Sequence, residues 1–388
     1  MLGLLVLTEA ETMGIKSVRI QNFKSIRDSG EVNLRAMNVL IGANGAGKSN
    51  FIGFFKFLNR LYERQLQLYV NKNGRADGFL YFGRKISSSL SGTITFDNSY
   101  KNQYDFKITP DQTGNFIIAE EWSNYESPVE VRIRERERKI PSVNRVGLSA
   151  GKTESTLRDN DGYRNKYLLE HLNSLRLFHF HDTSFNAKVK QPSNTTDYAY
   201  LHEDAGNLAA FLYRLQEKEA TSFHMIVNVI RSIAPFFDQF YLQPDEISAN
   251  QIFLRWREKG SEQLWNAHSL SDGTLRMICL ATLLLQPNPP ATIIIDEPEL
   301  GLHPFAIAKL AAMLKSASQK TQVIISTQSV TLLDHFDADD VIVAERVEES
   351  YGRSETVFRR QDKESLRDWL QEYTLGQLWE KNVIGGRP

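Results

Sequence analysis

Eight consecutive residues, Gly42-Ala43-Asn44-Gly45-Ala46-Gly47-Lys48-Ser49, have the types and spacing needed to hold a polyphosphate. In the pattern G-x-x-x-x-G-K-[ST], the glycines let backbone N–H groups close around phosphate oxygens. A helix beginning at Ser49 then points its positive end at them. Lys48 is placed to meet the β- and γ-phosphates of ATP and Ser49 to meet Mg²⁺, with Asn50 completing the run. An ordinary glycine-rich turn could share this composition, but an apolar strand over residues 37–41 precedes the loop and an apolar helix over 51–62 follows, as a phosphate loop requires. A second run, Gly147-Leu148-Ser149-Ala150-Gly151-Lys152-Thr153, has three intervening residues instead of four and no strand before it, so it is set aside.

Ile293-Ile294-Ile295-Asp296-Glu297 reads as a buried strand ending in two carboxylates. Such strands emerge at the carboxyl edge of a parallel sheet, where nucleotides sit. Asp296 is expected to hold Mg²⁺ through water, and Glu297 to orient and deprotonate the attacking water. Val323-Ile324-Ile325-Ser326-Thr327-Gln328 is a second apolar strand ending in polar side chains at the same edge, where Gln328 could sense the γ-phosphate. Ser269-Leu270-Ser271-Asp272-Gly273-Thr274 precedes an apolar helix and offers hydroxyls, a carboxylate and free N–H groups at its start. Simple helix capping would account for that segment alone; its place just before the Asp296-Glu297 strand shifts the balance away from capping alone.

The elements that must position these groups are legible in outline. Strands are predicted over residues 15–20 and 37–41, and a helix over 51–62. Between about 78 and 140, short β-branched and aromatic runs (92–96, 104–108, 115–119, 129–133) predict an antiparallel sheet. Residues 141–166 read as a mobile loop, and 207–233 as a helix ended by Pro235. Beyond strands at 236–242 and 251–257 the chain alternates helix and strand like a parallel α/β sheet. An amphipathic helix is predicted over 366–379, with Leu366, Trp369, Leu370 and Tyr373 packed inward. Residues 1–14 read as a leader. The predicted organisation is an N-terminal half at 15–184, a helical and β insertion at 185–260 and a C-terminal half at 261–388.

The 388 residues carry 46 Lys and Arg against 47 Asp and Glu, so nucleic-acid binding would need a local patch. One cysteine, Cys279, excludes an internal disulfide framework, fits a reducing cytoplasm and reads as a packing residue. No apolar run approaches the length of a membrane helix.

The order of phosphate loop, long insertion, Ser-Asp-Gly signature, Asp-Glu-Pro strand and Ser-Thr-Gln strand, with 248 positions between Lys48 and Asp296, resembles the ABC-type ATPase heads of the RecF, SMC and OLD group. A closer resemblance is to bacterial RecF-like "AAA family ATPases" without long coiled coils. It runs from about residue 15 to 388 through Asn22-Phe23-Lys24-Ser25-Ile26, Phe178-His179-Phe180-His181-Asp182-Thr183, Leu270-Ser271-Asp272-Gly273-Thr274-Leu275-Arg276 and Asp296-Glu297-Pro298-Glu299-Leu300-Gly301-Leu302-His303-Pro304. The resemblance implies an α/β P-loop head with an antiparallel β-rich lobe. It also implies a dimer that sandwiches two ATP molecules, with Ser271 and Gly273 of one copy facing the γ-phosphate bound by the other and Glu299 to His303 at the seam. Two departures from the wider pattern are Asp272 in place of glycine, which adds a carboxylate near the phosphates, and Gln328 where many heads have histidine. His181-Asp182 falls where such heads link their two lobes; it reads either as a metal or water contact or as a structural turn.

If residues 130–139 form one strand, Arg132, Arg134, Arg136 and Arg138 share a face about 7 Å apart and could track a DNA backbone, or else form cross-strand salt bridges. Three functional classes follow: an ATP-driven switch in DNA maintenance or anti-phage defence with a separately encoded nuclease or effector, an ATPase subunit of a transporter, and a scaffold assembled by ATP without turnover. The chain carries no nuclease motif of its own; Asp337, Asp339 and Asp340 read as turn residues.

Overall fold

The computed structural model describes residues 14–98, 100–133, 136–159, 162–348 and 352–387; of residues 127–142, 163 and 164 only the backbone is described. Residues 1–13 of the leader segment and Arg134 lie outside the described residues. The chain divides into two compact units, each assembled from non-contiguous segments.

The first unit comprises residues up to Ala36, Gly53–Leu175 and Glu345–Arg359. It holds a seven-stranded antiparallel sheet built from Ile15–Phe23, Ile26–Asp28, Val32–Asn33, Leu90–Phe96, Gln103–Pro110, Phe116–Ile133 and Arg136–Ser149. Leu90–Phe96 alternates buried and half-buried residues along its length, the period of a strand with one face in a core. That core is aromatic. Phe54 and Phe57, one helical turn apart on Lys48–Tyr62, meet Phe23, Phe79, Phe106 and Phe116 at centroid separations of 5.4 to 6.3 Å. Gly92 is the thin point in this contact. A Cβ there would lie 2.5 Å from the Phe54 ring and 2.6 Å from that of Phe106, so only glycine lets the strand lie against the helix.

Three expectations fail in this unit. The runs at 115–119 and 129–133 belong to one strand, Phe116–Ile133, and residues 141–149 are not a loop but part of its partner, Arg136–Ser149. Asn144, Arg145 and Ser149 give no apolar alternation because this ribbon is stabilised by its ladder, with the Arg145 guanidinium stacked 3.9 Å from the Trp122 ring. The arginines do not share a strand either. Arg132 lies on one arm opposite Glu137, and Arg138 on the other opposite Val131, so the hairpin turn divides the row that sequence spacing implied.

The second unit comprises Met37–Ile52, Arg176–Ala344 and Arg360–Pro388. Its sheet runs in the order Val341–Glu348, Met37–Ile41, Gln322–Ser326, Thr292–Asp296, Leu175–Phe178. Every residue of Met37–Ile41 and Gln322–Ser326 is buried, the run of apolar side chains expected of parallel strands covered on both faces. Helices Asp272–Leu285, Pro304–Ser318 and Ala220–Ile233 pack against one another in the same core, which also takes in Cys279.

The stretch 207–233 is two helices, Leu208–Lys218 and Ala220–Ile233, because Glu219 (φ −136°, ψ 52°) leaves helical geometry and lets two apolar faces meet. The predicted helix at 366–379 is likewise replaced. A short 3₁₀ turn, Trp369–Gln371, precedes a new helix, Leu375–Glu380, started by a capping box in which Thr374 and Gln377 bond each other's backbone N–H. Leu366 is buried as expected, but Trp369 is 48% exposed and Trp379 takes the fully buried position. Asp337 caps the turn Ala338–Asp340, as its composition implied.

Replacing Gly92 with alanine is expected to lower the stability of the first unit by about 1–3 kcal/mol, the usual consequence of overpacking. Denaturant unfolding followed by tryptophan fluorescence measures it; an unchanged midpoint would show that the Phe54–Phe106 stack can shift freely.

Candidate active site

Three parallel strands end level with one another. Leu40 pairs with Ser326, and Ser326 with Asp296, so the chain leaves the sheet at Ile41, Ser326 and Asp296 side by side. The first exit becomes the phosphate loop. Gly42 takes φ +150°, and a Cβ on it would sit 2.3 Å from the Ala344 carbonyl oxygen, so this position accepts only glycine. Gly386 packs against the same residue: its own Cβ position lies 3.3 Å from the Gly42 Cα, and its carbonyl accepts the indole N–H of buried Trp379. The loop closes with Ala46 N–H on the Ala43 carbonyl at 3.1 Å and enters the helix Lys48–Tyr62.

Lys48 is 5% exposed and folds back to donate to the Gly42 and Ala43 carbonyls at 2.5 and 3.1 Å. Burial lowers its pKa, and the charges of Glu297, Asp296 and Glu299 oppose that shift. One ammonium thus lies in the field of three carboxylates from a single strand end. Ser49 and Asn44 are exposed at the loop, and Asn50 donates its N–H to the Gly47 carbonyl at 3.0 Å.

The two carboxylates of the second motif are held differently. Asp296 receives the Ser326 hydroxyl on its side chain and the His181 Nε2–H on its main-chain carbonyl at 2.9 Å. His181 therefore braces the turn. Glu297 adopts φ +44°, a region unusual for a side chain with a Cβ, and its N–H bonds the Ser326 carbonyl at 2.9 Å. Its carboxylate accepts the side-chain amide of Gln328. Gln328 thus contacts the expected base directly.

Glu299 is 9% exposed and turned onto the exit of the Gln322–Ser326 strand. One oxygen accepts the Thr327 hydroxyl at 2.5 Å and the Gln328 N–H at 3.3 Å, while the other, Oε2, is buried with no partner among the described residues. Desolvation raises its pKa above the usual carboxylate range, and the Glu297 charge adds to the shift. Its neighbour Leu300 is 45% exposed.

The signature forms a separate cluster in the same unit. Ser271 caps helix Asp272–Leu285, its Oγ accepting the Thr274 N–H at 3.2 Å. Asp272 pairs with Lys190 at 3.9 Å, and Lys190 also donates to the Thr183 carbonyl at 2.5 Å, so the carboxylate that departs from the Ser-Gly-Gly pattern faces a cation of its own chain. Gly273 lies against the turn that follows Glu299, where a Cβ would meet the Gly301 oxygen at 2.8 Å. Arg276 joins the clusters by donating to the carbonyls of Phe180, His181 and Leu300 at 3.2, 2.9 and 2.7 Å. Arg276, Ser326, Thr327 and Lys190 carry no local sequence signal for these roles, because their partners lie far along the chain.

Fold and site together define a P-loop ATPase of the SMC-head type. Residues 37–334 match the family described as "AAA domain, putative AbiEii toxin, Type IV TA system", and the chain belongs to that family. It is 22% identical over 355 residues to an ATP/GTP phosphatase of Helicobacter pylori, spanning 83% of this chain and 87% of that protein. A shorter stretch of 95 residues is 35% identical to the chromosome partition protein Smc of Mycoplasma pneumoniae, covering 24% of this chain but only 9% of the Smc protein. Among solved structures, an SMC head bound to the C-terminal winged-helix domain of ScpA superposes with a TM-score of 0.57 at 14% identity, over 91% of this chain and 99% of that one. An SMC head with an extended coiled coil, bound to the C-terminal domain of ScpA derived from Pyrococcus furiosus, gives 0.55 at 13% identity, over 92% and 99%. These likenesses establish the fold. Among the described residues, no helix is long and apolar enough to cross a membrane.

The raised pKa of Glu299 has a defined sign. Because the folded value lies above the unfolded one, the folded state binds more protons between the two values, and stability falls as pH rises through that window. Glu299→Gln removes the titration, so its melting temperature relative to wild type is expected to be more favourable at pH 8 than at pH 5. A difference independent of pH, measured by differential scanning fluorimetry, would contradict this.

Proposed function

We propose that this ATPase hydrolyses ATP with Mg²⁺ in a head-to-tail dimer, and that the cycle serves as a switch in DNA maintenance or anti-phage defence, with a separately encoded effector doing any cutting of nucleic acid. The observation that carries the reading is the buried Lys48 ammonium, bonded to its own loop and set in the field of Asp296 and Glu297. A lysine so placed can exchange two main-chain carbonyls for phosphate oxygens without moving into water.

In the proposed reaction Gly42, Asn44, Gly45, Ala46 and Gly47 wrap the phosphates, and Lys48 balances charge on the β- and γ-phosphoryl groups. Glu297 accepts a proton from water as the water oxygen bonds to the γ-phosphorus and the bond from that phosphorus to the β–γ bridging oxygen breaks, releasing ADP and phosphate. Ser49 and Asp296 supply only oxygen donors, a set that suits a hard cation, and the Ser326 hydroxyl already on Asp296 favours contact through water. Mg²⁺ held there would neutralise phosphate charge. Ser271 and Gly273 are assigned to the γ-phosphate bound by the second copy, with Lys190 drawing the Asp272 carboxylate aside.

The DNA and defence part of the reading draws support from the family description and from the Smc relative. The divided arginine row weakens the case for DNA on that hairpin. A transporter ATPase remains the alternative if the protein copurifies with a membrane partner, and an ATP-assembled scaffold if dimers form without turnover.

Lys48→Ala is expected to abolish ATP binding. Glu297→Gln is expected to lower kcat by about 10²–10⁴-fold while accumulating an ATP-bound dimer. Phosphate release together with mass photometry, with and without duplex DNA, checks both. A Glu297→Gln protein that turns over at the wild-type rate would remove Glu297 as the base.

A further inference from the structure

Glu299 is the one acidic side chain at this edge that the reaction above does not use, and its surroundings are unusual. It is nine-tenths buried, one of its oxygens lacks any partner among the described residues, and the other takes two hydrogen bonds from consecutive residues. A buried carboxylate left half-satisfied destabilises the fold, so a glutamine or an apolar side chain would serve packing better. What the carboxylate does hold is specific. Thr327 and Gln328 form the exit of the Gln322–Ser326 strand, and the Gln328 side chain reaches Glu297. Both glutamates therefore grip the same two-residue segment, Glu299 by its main chain and Thr327 hydroxyl, Glu297 by its Gln328 amide.

We propose that Glu299 is a positioning residue for hydrolysis: it anchors Thr327 and Gln328 so that the Gln328 amide engages one oxygen of Glu297 and leaves the other turned toward the attacking water. Glu299 reaches the base through Gln328 and touches neither water nor phosphate. The anchor matters because the Gln328 amide holds one oxygen of the Glu297 carboxylate, so a shift of Gln328 moves the base. This inference rests on the hydrolase reading and on Glu297 as base.

The test is steady-state ATP hydrolysis of the full chain, with ATP affinity measured separately using a fluorescent ATP analogue. Glu299→Ala is expected to lower kcat about 10- to 100-fold with KM and analogue affinity unchanged, the scale of a misplaced catalytic group. Glu299→Gln, which keeps an acceptor oxygen at the same reach, is expected to restore kcat to within about fivefold of wild type. Glu299→Asp keeps the charge but loses the reach, so it should resemble alanine and serves as the readout if the alanine variant does not fold. In a Gln328→Ala background, Glu299→Ala should cost less than about twofold more, because the two residues act as one unit. An unchanged kcat, a loss confined to KM, or an undiminished loss in the Gln328→Ala background would each overturn the proposal. A wild-type protein without turnover would instead overturn the hydrolase reading and this one with it.

Discussion

The structure depends on keeping one ammonium among three carboxylates without closing them into salt bridges. Lys48 bonds two carbonyls of its own loop and remains in the field of Asp296, Glu297 and Glu299. Such an arrangement is stable only if the backbone is held from outside, since an arriving polyphosphate must find the loop already open. Ala344 and Gly386 both press on Gly42, and Trp379 fixes Gly386 by its indole N–H. The rigidity of the loop is therefore supplied by segments more than 300 positions away.

The same logic governs the carboxylates. Each is positioned by a side chain from another element: Asp296 by Ser326 and His181, Glu297 by Gln328, Glu299 by Thr327. Arg276 extends this bracing to the helix that carries the signature, using three main-chain carbonyls as anchor points. A guanidinium suits the task because its fan of N–H donors can satisfy acceptors in different loops at once.

How much of this could be read in the sequence follows from the range of each interaction. The phosphate loop, the Asp296-Glu297 turn and the Gln322–Ser326 exit are local patterns next to apolar strands, and each was legible. The inward turn of Glu299 was not, because Glu299 and Leu300 are adjacent and nothing local says which one faces the core. The hairpin of Phe116–Ile133 with Arg136–Ser149 was half missed since an exposed ribbon needs no apolar alternation, and the missed turn misplaced the arginines. The breaks at Glu219 and Thr374 fall inside stretches of unbroken helical periodicity, although the Thr374-x-x-Gln377 capping box was available as a start signal.

The central claim is that each hydrolytic site is shared between two copies. Lys48→Ala and Ser271→Arg proteins should each be inactive alone, since one lacks the phosphate grip and the other the facing signature. Mixed in equal amounts, they should recover about a quarter of the wild-type rate, because half the dimers are mixed and each of these has one intact site of two. A mixture as inactive as its components, or a Ser271→Arg protein active alone, would contradict the shared site.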